Sequence, residues 1–242
     1  CSVAEAGRLE VLAIAAHPDD AEITCGGTLL KLAALGRATG VLDLARGEAG
    51  TYGTKADRDA EASAAGRVLG LAWRENAGMP DAAIEYTQAN KLVIAQYIRD
   101  HRPELVILPH WEQRHPDHLA ASRLGYDACF LAGLTKIDLA GKPHRPRKII
   151  YASYFRNREF SFLVDISAHF EKKCEAVGAY RSQFSDNNIA RNIFHPGVTV
   201  FDLMRDRGAN LGHMAGVRYA EAFTIKEAIL VDDPQTMPVR SI

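Results

Sequence analysis

Leu9–Ala16 (LEVLAIAA) is a mostly apolar run of strand length that ends abruptly in His17-Pro18-Asp19-Asp20. Apolarity without alternation is what a central parallel strand shows when helices cover both of its faces. The pattern recurs at Glu104–Pro109 (ELVILP), which runs straight into a loop dense in histidine, His110–His118. Between the two, apolar runs and helical periodicities alternate. An apolar helix is predicted over Thr28–Leu35 after Gly26-Gly27, closed by Gly36. A strand follows at Thr39–Ala45, then a polar, Gly-rich loop from Arg46 to Lys55 and an Ala-rich helix over Asp57–Leu69. A short strand near Ala72–Asn76 precedes an amphipathic helix over Asn90–His101 that stops before Pro103, and a helix over Leu119–Leu131 follows the histidine loop. This alternation predicts an α/β fold: a Rossmann-like, doubly wound, mostly parallel sheet with helices on both faces.

Beyond residue 134 the pattern loosens. Strands are predicted at Lys148–Ser153 and Phe162–Ile166, a helix over Ala168–Phe184, another over Val200–Asn210, and a late strand over Val217–Ile225. With no repeat or linker in 242 residues, one domain is expected, its α/β core over about 9–134 and a specificity-shaping part over about 135–242. Within that part the irregular Ser185–Gly197 stretch, with Arg191 and His195, is expected at a substrate mouth or a subunit contact.

Composition removes several classes of function. Lys and Arg total 29 against 30 Asp and Glu, so a net charge of −1 gives no electrostatic case for nucleic acid. No apolar run reaches the ~18 residues that a membrane span needs. The four cysteines, Cys1, Cys25, Cys129 and Cys174, form no CxxC pair, which suits reduced thiols and a cytoplasmic location. The leading Cys1 fits either the lipidated end of a processed lipoprotein or a trimmed start.

The chemistry gathers after the two apolar strands. In an open parallel sheet, ligands bind at the carboxyl ends of strands where the winding reverses. With strand order 3-2-1-4-5 the loops after strands one and four are neighbours. Together they offer His17, Asp19, Asp20, His115, Asp117 and His118. Two imidazoles and one carboxylate with an open fourth position make a common catalytic zinc set. A dinucleotide at this place would require Gly-x-Gly-x-x-Gly after strand one; His-Pro-Asp-Asp stands there instead, and its carboxylates repel phosphate. A protein that only binds metal needs no unliganded carboxylate beside its ligands, so Asp19 with His115 and Asp117 favours catalysis.

The A-H-P-D-D-A-E start (16–22) and the H-P-D-H motif (115–118) in this frame resemble the LmbE-like (PIG-L) metal-dependent N-deacetylases. Within that family the chain is similar to the bacillithiol-biosynthesis deacetylases, through D-L-A-R-G-E-A-G-T-Y-G-T (43–54), Arg58 and Glu61, and D-A-C-F-L-A-G-L (127–134). E-K-K-C-E-A-V-G-A-Y-R-S-Q-F (171–184) and G-V-R-Y-A-E-A-F (216–223) extend the likeness, which runs from Leu9 to about Asp233. The resemblance implies that His17, Asp20 and His118 hold one Zn2+ per chain, or another divalent metal. It makes Asp19 the general base, and it places His115, oriented and kept protonated by Asp117, at the reacting carbonyl. Arg58 would meet the malate carboxylates of N-acetylglucosaminyl-malate, unless Glu61 one turn on pairs with it; Glu48 and Arg46 are further substrate-binding candidates. The other substrates that the resemblance allows are another N-acetylated sugar or a mycothiol-type conjugate. A homo-oligomer, in some relatives a hexamer, is also implied. Two departures stand out: Gln113 occupies the position where the mycothiol branch carries tyrosine, and Gly197–Phe201 (GVTVF) lacks the tyrosine that some relatives have there. His101, His144, His169 and His213 read as surface or structural residues.

Overall fold

A computed structural model describes residues 7–156, 159–185 and 197–239. One seven-stranded sheet runs through it in the order β3-β2-β1-β4-β5-β7-β6. Its strands are β1 (Val11–Ala15), β2 (Thr39–Asp43), β3 (Trp73–Asn76), β4 (Leu105–Pro109), β5 (Lys148–Ala152), β6 (Phe162–Asp165) and β7 (Ala220–Thr224). The first five pair in parallel, and only β7 runs antiparallel to its two neighbours. The expected 3-2-1-4-5 order is present, extended by β7 and β6, so the C-terminal part completes the same sheet.

The helices are α1 (Asp20–Ala34), α2 (Lys55–Leu69), α3 (Gln88–His101), α4 (Pro116–Ala132), α5 (Phe170–Gly178), α6 (Arg181–Phe184) and α7 (Val200–Ala215). Alternate residues of β1 feed two cores, which is the period-2 signature of a strand buried on both faces. Leu12 and Ile14 pack with Ile94, Ile98, Leu124 and Ala128 of α3 and α4. Val11, Ala13 and Ala15 pack with Cys25, Leu29, Leu69 and Ala176 of α1, α2 and α5. None of the helices among the described residues is long and apolar enough to cross a membrane.

Several boundaries differ from the sequence expectation. The first helix begins at Asp20 rather than Thr28, so Gly26 and Gly27 lie inside it. Gly27 is small there because a neighbour crowds it: a Cβ on it would lie 2.7 Å from Ile166 Cδ1. The fourth helix begins at Pro116, with Pro in the first turn, where a missing N–H costs nothing. The helix expected over 168–184 breaks after Gly178, because Tyr180 turns inward, fully buried, and donates its hydroxyl to Glu22 Oε1 at 2.9 Å. The last helix runs on to Ala215 and stops at Gly216, in the left-handed region at φ 70°. The chain then folds back so tightly that a Cβ on Gly212 would meet the Val217–Arg218 backbone at 2.7 Å, which delays β7 to Ala220.

Candidate metal centre and active site

Strands β1, β4 and β5 lie side by side, and the segments leaving their C-terminal ends meet above the sheet. His17, two residues beyond β1, turns Nε2 toward Asp81 Oδ1 (2.9 Å) and Asp117 Oδ2 (3.1 Å). Its other nitrogen, Nδ1, faces Asp20 Oδ2 at 3.6 Å. From the start of α4, His118 Nε2 reaches the same Asp20 oxygen at 3.3 Å. His17, Asp20 and His118 each present one donor atom, all within 4.8 Å of one another. Tetrahedral zinc with ~2.0–2.1 Å bonds sets its donors about 3.4 Å apart. The two measured separations bracket that edge, so the donor set fits a metal ion. The carboxylates on Nε2 also fix the tautomer that leaves Nδ1 free to ligate, a recurring support for metal-binding histidine. His17, His115 and Asp117 make a second possible grouping, but Asp117 there faces the Nε2 side and is already bonded to backbone.

The electrostatics follow from this crowding. Burial pulls the His17 imidazole down, yet contact with Asp20 and Asp81 outweighs it and raises it to about 11. Burial pushes the Asp20 carboxyl up, but His118 and His17 hold it well below the usual carboxylate range. Asp81 is drawn down to about 2, chiefly by its hydrogen bond with His17.

Asp19 is the N-cap of α1 at φ 101°, a left-handed conformation costly for a residue with Cβ, and it makes no capping hydrogen bond. Its carboxylate is held by Arg58 Nη2 at 3.2 Å instead. Burial lifts its carboxyl to about 7, against the pull of the Arg58 charge. Arg58, in the first turn of α2, is only 3% exposed. Its Nη2 also donates to Pro18 O at 2.5 Å, and its guanidinium lies 5.3 Å over the Tyr180 ring. The rim loop passes directly above: a Cβ on Gly47 (φ 75°) would lie 3.0 Å from Nε and Nη2. Glu61 does not pair with Arg58; it accepts from Ser182 N and Oγ at 2.6 and 2.8 Å, tying α2 to α6. Among the described residues, Arg58 Nε and Nη1 are buried without a hydrogen-bond partner.

The expected His115–Asp117 pairing is corrected. His115 is the N-cap of α4, and its Nδ1 accepts from the Asp117 backbone N–H at 3.2 Å. The Asp117 carboxylate faces His17 and accepts from Ala82 N (2.8 Å) and Ile84 N (3.3 Å). The Asp117 carboxylate therefore faces His17, and Asp117 meets His115 only through its backbone N–H. Burial and the neighbouring His17 and His118 lower the His115 imidazole despite Asp117 and Asp20. Arg46 Nη1 pairs with Asp59 at 2.7 Å. Glu48, exposed, accepts from Arg46 N (3.1 Å) and Asp81 N (3.3 Å), so it fastens the rim loop to the Asp81 segment. Arg191 and His195 lie outside the described residues.

Two site residues were missed. Asp81 follows Met79-Pro80 in a loop with no motif, although Ala82 beside it is one of three non-glycine residues at positive φ among the described residues. Tyr154 leaves β5; its ring centroid is 4.9 Å from that of His118, and its hydroxyl is hydrogen-bonded to Asp20. The available signal was topological, since β5 borders β4 and its end must approach the same crevice.

A doubly wound sheet carrying a His/Asp cluster at the C-terminal ends of its central strands defines the class: an α/β enzyme with donor atoms that could hold a metal ion. Residues 12–129 match the PIG-L family, described as GlcNAc-PI de-N-acetylase. The chain is 30% identical over 236 residues to the diacetylchitobiose deacetylase of Thermococcus kodakarensis, a match covering 92% of this chain and 85% of that protein. It is 34% identical over 173 residues to the 1D-myo-inositol 2-acetamido-2-deoxy-alpha-D-glucopyranoside deacetylase of Rhodococcus erythropolis, covering 57% of this chain and 58% of that one. Among solved structures, the conserved protein TT1542 from Thermus thermophilus superimposes with a TM-score of 0.84 at 40% identity, over 92% of this chain and 97% of that one. The chain belongs to the PIG-L, or LmbE-like, family and is a hydrolytic N-deacetylase.

Proposed function

We propose that the chain removes the N-acetyl group of an N-acetylglucosamine conjugate, with one zinc or other divalent ion held by His17, Asp20 and His118. The observation that carries this reading is the convergence of those three donor atoms within 4.8 Å beside a carboxylate, Asp19, that is held by Arg58. A divalent ion held there by His17, Asp20 and His118 would polarise the acetyl carbonyl and lower the pKa of water toward ~7. Asp19 accepts the proton of the attacking water, with Arg58 fixing the carboxylate in the orientation to do so, and the C–N bond breaks as Asp19 or His115 delivers a proton to the leaving amine. His115, its Nδ1 occupied by the Asp117 N–H, presents Nε2 as a donor to the developing oxyanion. Asp117 and Asp81 hold the His17 ring in its ligating orientation.

For the substrate, the first reading is N-acetylglucosaminyl-malate: among the described residues Arg58 keeps two buried nitrogens without a hydrogen-bond partner, and the loop at Gly47 must shift for them to meet a carboxylate. Glu48 and Arg46 shape the rim beside it. The likeness to a diacetylchitobiose deacetylase and to a GlcNAc-inositol deacetylase favours a second reading, an N-acetylated oligosaccharide or a mycothiol-type conjugate. The same proposal makes the enzyme cytoplasmic and homo-oligomeric. Acetate release from GlcNAc-malate, GlcNAc, diacetylchitobiose and GlcNAc-inositol separates the readings. The first reading predicts a kcat/KM for GlcNAc-malate at least tenfold above the rest; equal rates overturn the malate assignment, and no release from any of the four overturns the activity.

A further inference from the structure

The two motif loops supply ligands from β1 and β4, Asp20 and His118 belong to different helices, and the His17–Asp117 contact at 3.1 Å ties the loops on the far side of His17. Tyr154, from the third adjacent strand, touches both Asp20 and His118. Its hydroxyl is hydrogen-bonded to the Asp20 carboxylate, and its ring packs against the His118 imidazole with centroids 4.9 Å apart and planes tilted by 31°. Asp20, Thr24, Pro109 and Tyr154 also line one small cavity together. The position of Tyr154 is itself set by register: β5 pairs with β4 through Ala152 and Pro109, the last residues of the two strands. The segment carrying Tyr154 therefore leaves the sheet beside the segment that leads to His118.

We propose that Tyr154 is a positioning residue of the metal site, holding the Asp20 carboxylate by its hydroxyl and the His118 ring by its face. A carboxylate with one oxygen committed to a donor loses rotational freedom about its terminal torsion. A ligand held in this way binds metal more tightly, and loss of such outer partners typically weakens metal affinity by ~10–100-fold. Tyr154 itself neither ligates the metal nor moves a proton in the reaction. The inference rests on the metal set of the proposed function.

Two variants divide the roles. Tyr154→Phe deletes only the hydroxyl; Tyr154→Leu deletes the hydroxyl and the ring. Zn2+ affinity is measured by competition with a chromophoric chelator, melting temperature of the metal-free proteins by circular dichroism, and acetate release with increasing Zn2+. The expected result is an affinity about tenfold or more weaker for Tyr154→Phe, weaker again for Tyr154→Leu, an unchanged melting temperature for metal-free Tyr154→Phe, and recovery of its activity in excess Zn2+. Tyr154→Phe binding Zn2+ within threefold of wild type overturns the proposal. So does a drop in metal-free melting temperature large enough to account for the lost affinity, since a merely structural tyrosine gives that. A wild-type protein that binds no Zn2+ overturns the metal reading and this proposal together, whereas a wild-type site with an unaffected Tyr154→Phe overturns this proposal alone.

Discussion

Gly26 and Gly27 stand next to each other in the interior of α1, and opposite outcomes are predicted for the same substitution at the two sites. In a helix interior, Gly→Ala stabilises by ~1 kcal/mol through backbone entropy. At Gly26 the new methyl would lie 3.5 Å from Lys173 Cγ and 3.6 Å from Leu69 Cδ2, ordinary van der Waals contact. Gly26→Ala should therefore keep most of that gain. At Gly27 the methyl would lie 2.7 Å from Ile166 Cδ1 and 2.9 Å from both Cβ and Cγ2. Ile166 Cβ is bonded to the backbone and cannot rotate away, so the overlap sits at the upper end of the ~1–3 kcal/mol that overpacking costs. Set against the propensity gain, Gly27→Ala should destabilise by about 1–2 kcal/mol. Thermal melts followed by circular dichroism read this as a loss of roughly 2–8 °C for Gly27→Ala and a small gain for Gly26→Ala. Because α1 carries Asp19 and Asp20 at its N-terminus, Gly27→Ala should also lower turnover. A Gly27→Ala protein as stable as wild type, or a Gly26→Ala protein that is the less stable of the two, refutes the packing argument.

Two further outcomes follow from buried groups. Arg74 bridges Glu22 Oε1 (2.5 Å) and both Asp43 oxygens (2.8 and 3.1 Å), so Arg74→Met strands two buried carboxylates and should cost roughly 3–5 kcal/mol in urea unfolding; a loss under about 1 kcal/mol contradicts this. Burial pushes the Cys129 thiol up to about 12 and raises that of Cys25 as well. At pH 8 only about one Cys129 in ten thousand is thiolate. Iodoacetamide with peptide mapping should therefore leave Cys25 and Cys129 unmodified in the folded protein and label both in urea, and rapid labelling without urea contradicts the burial.

The two central strands, β1 and β4, were legible because helices cover both of their faces and no polar residue breaks their runs. Helix starts were not. The first turns of α1 and α4 are made of Asp20-Ala21-Glu22 and Pro116-Asp117-His118, residues kept for the site, so apolar periodicity begins a turn or more late. The break at Tyr180 was hidden for another reason: its cause is a partner, Glu22, that lies far away in sequence. In the site, His17, Asp20 and His118 could be read because two motif-bearing loops follow neighbouring strands. Asp81 and Tyr154 carry no motif and arrive by tertiary placement alone. The error over Asp117 was one of direction, since an N-cap side chain accepts from the backbone of this residue while its carboxylate points across to the other loop.

The account turns on Asp19 acting beside a metal that it does not bind. Bound metal, by mass spectrometry, and acetate release are to be measured on the same preparations of wild type and Asp19→Asn. Retention of about one metal per chain in both, with turnover of the variant reduced by ~10²-fold or more, is the predicted result. Turnover within a few-fold of wild type, or loss of the metal along with the carboxylate, contradicts the assignment.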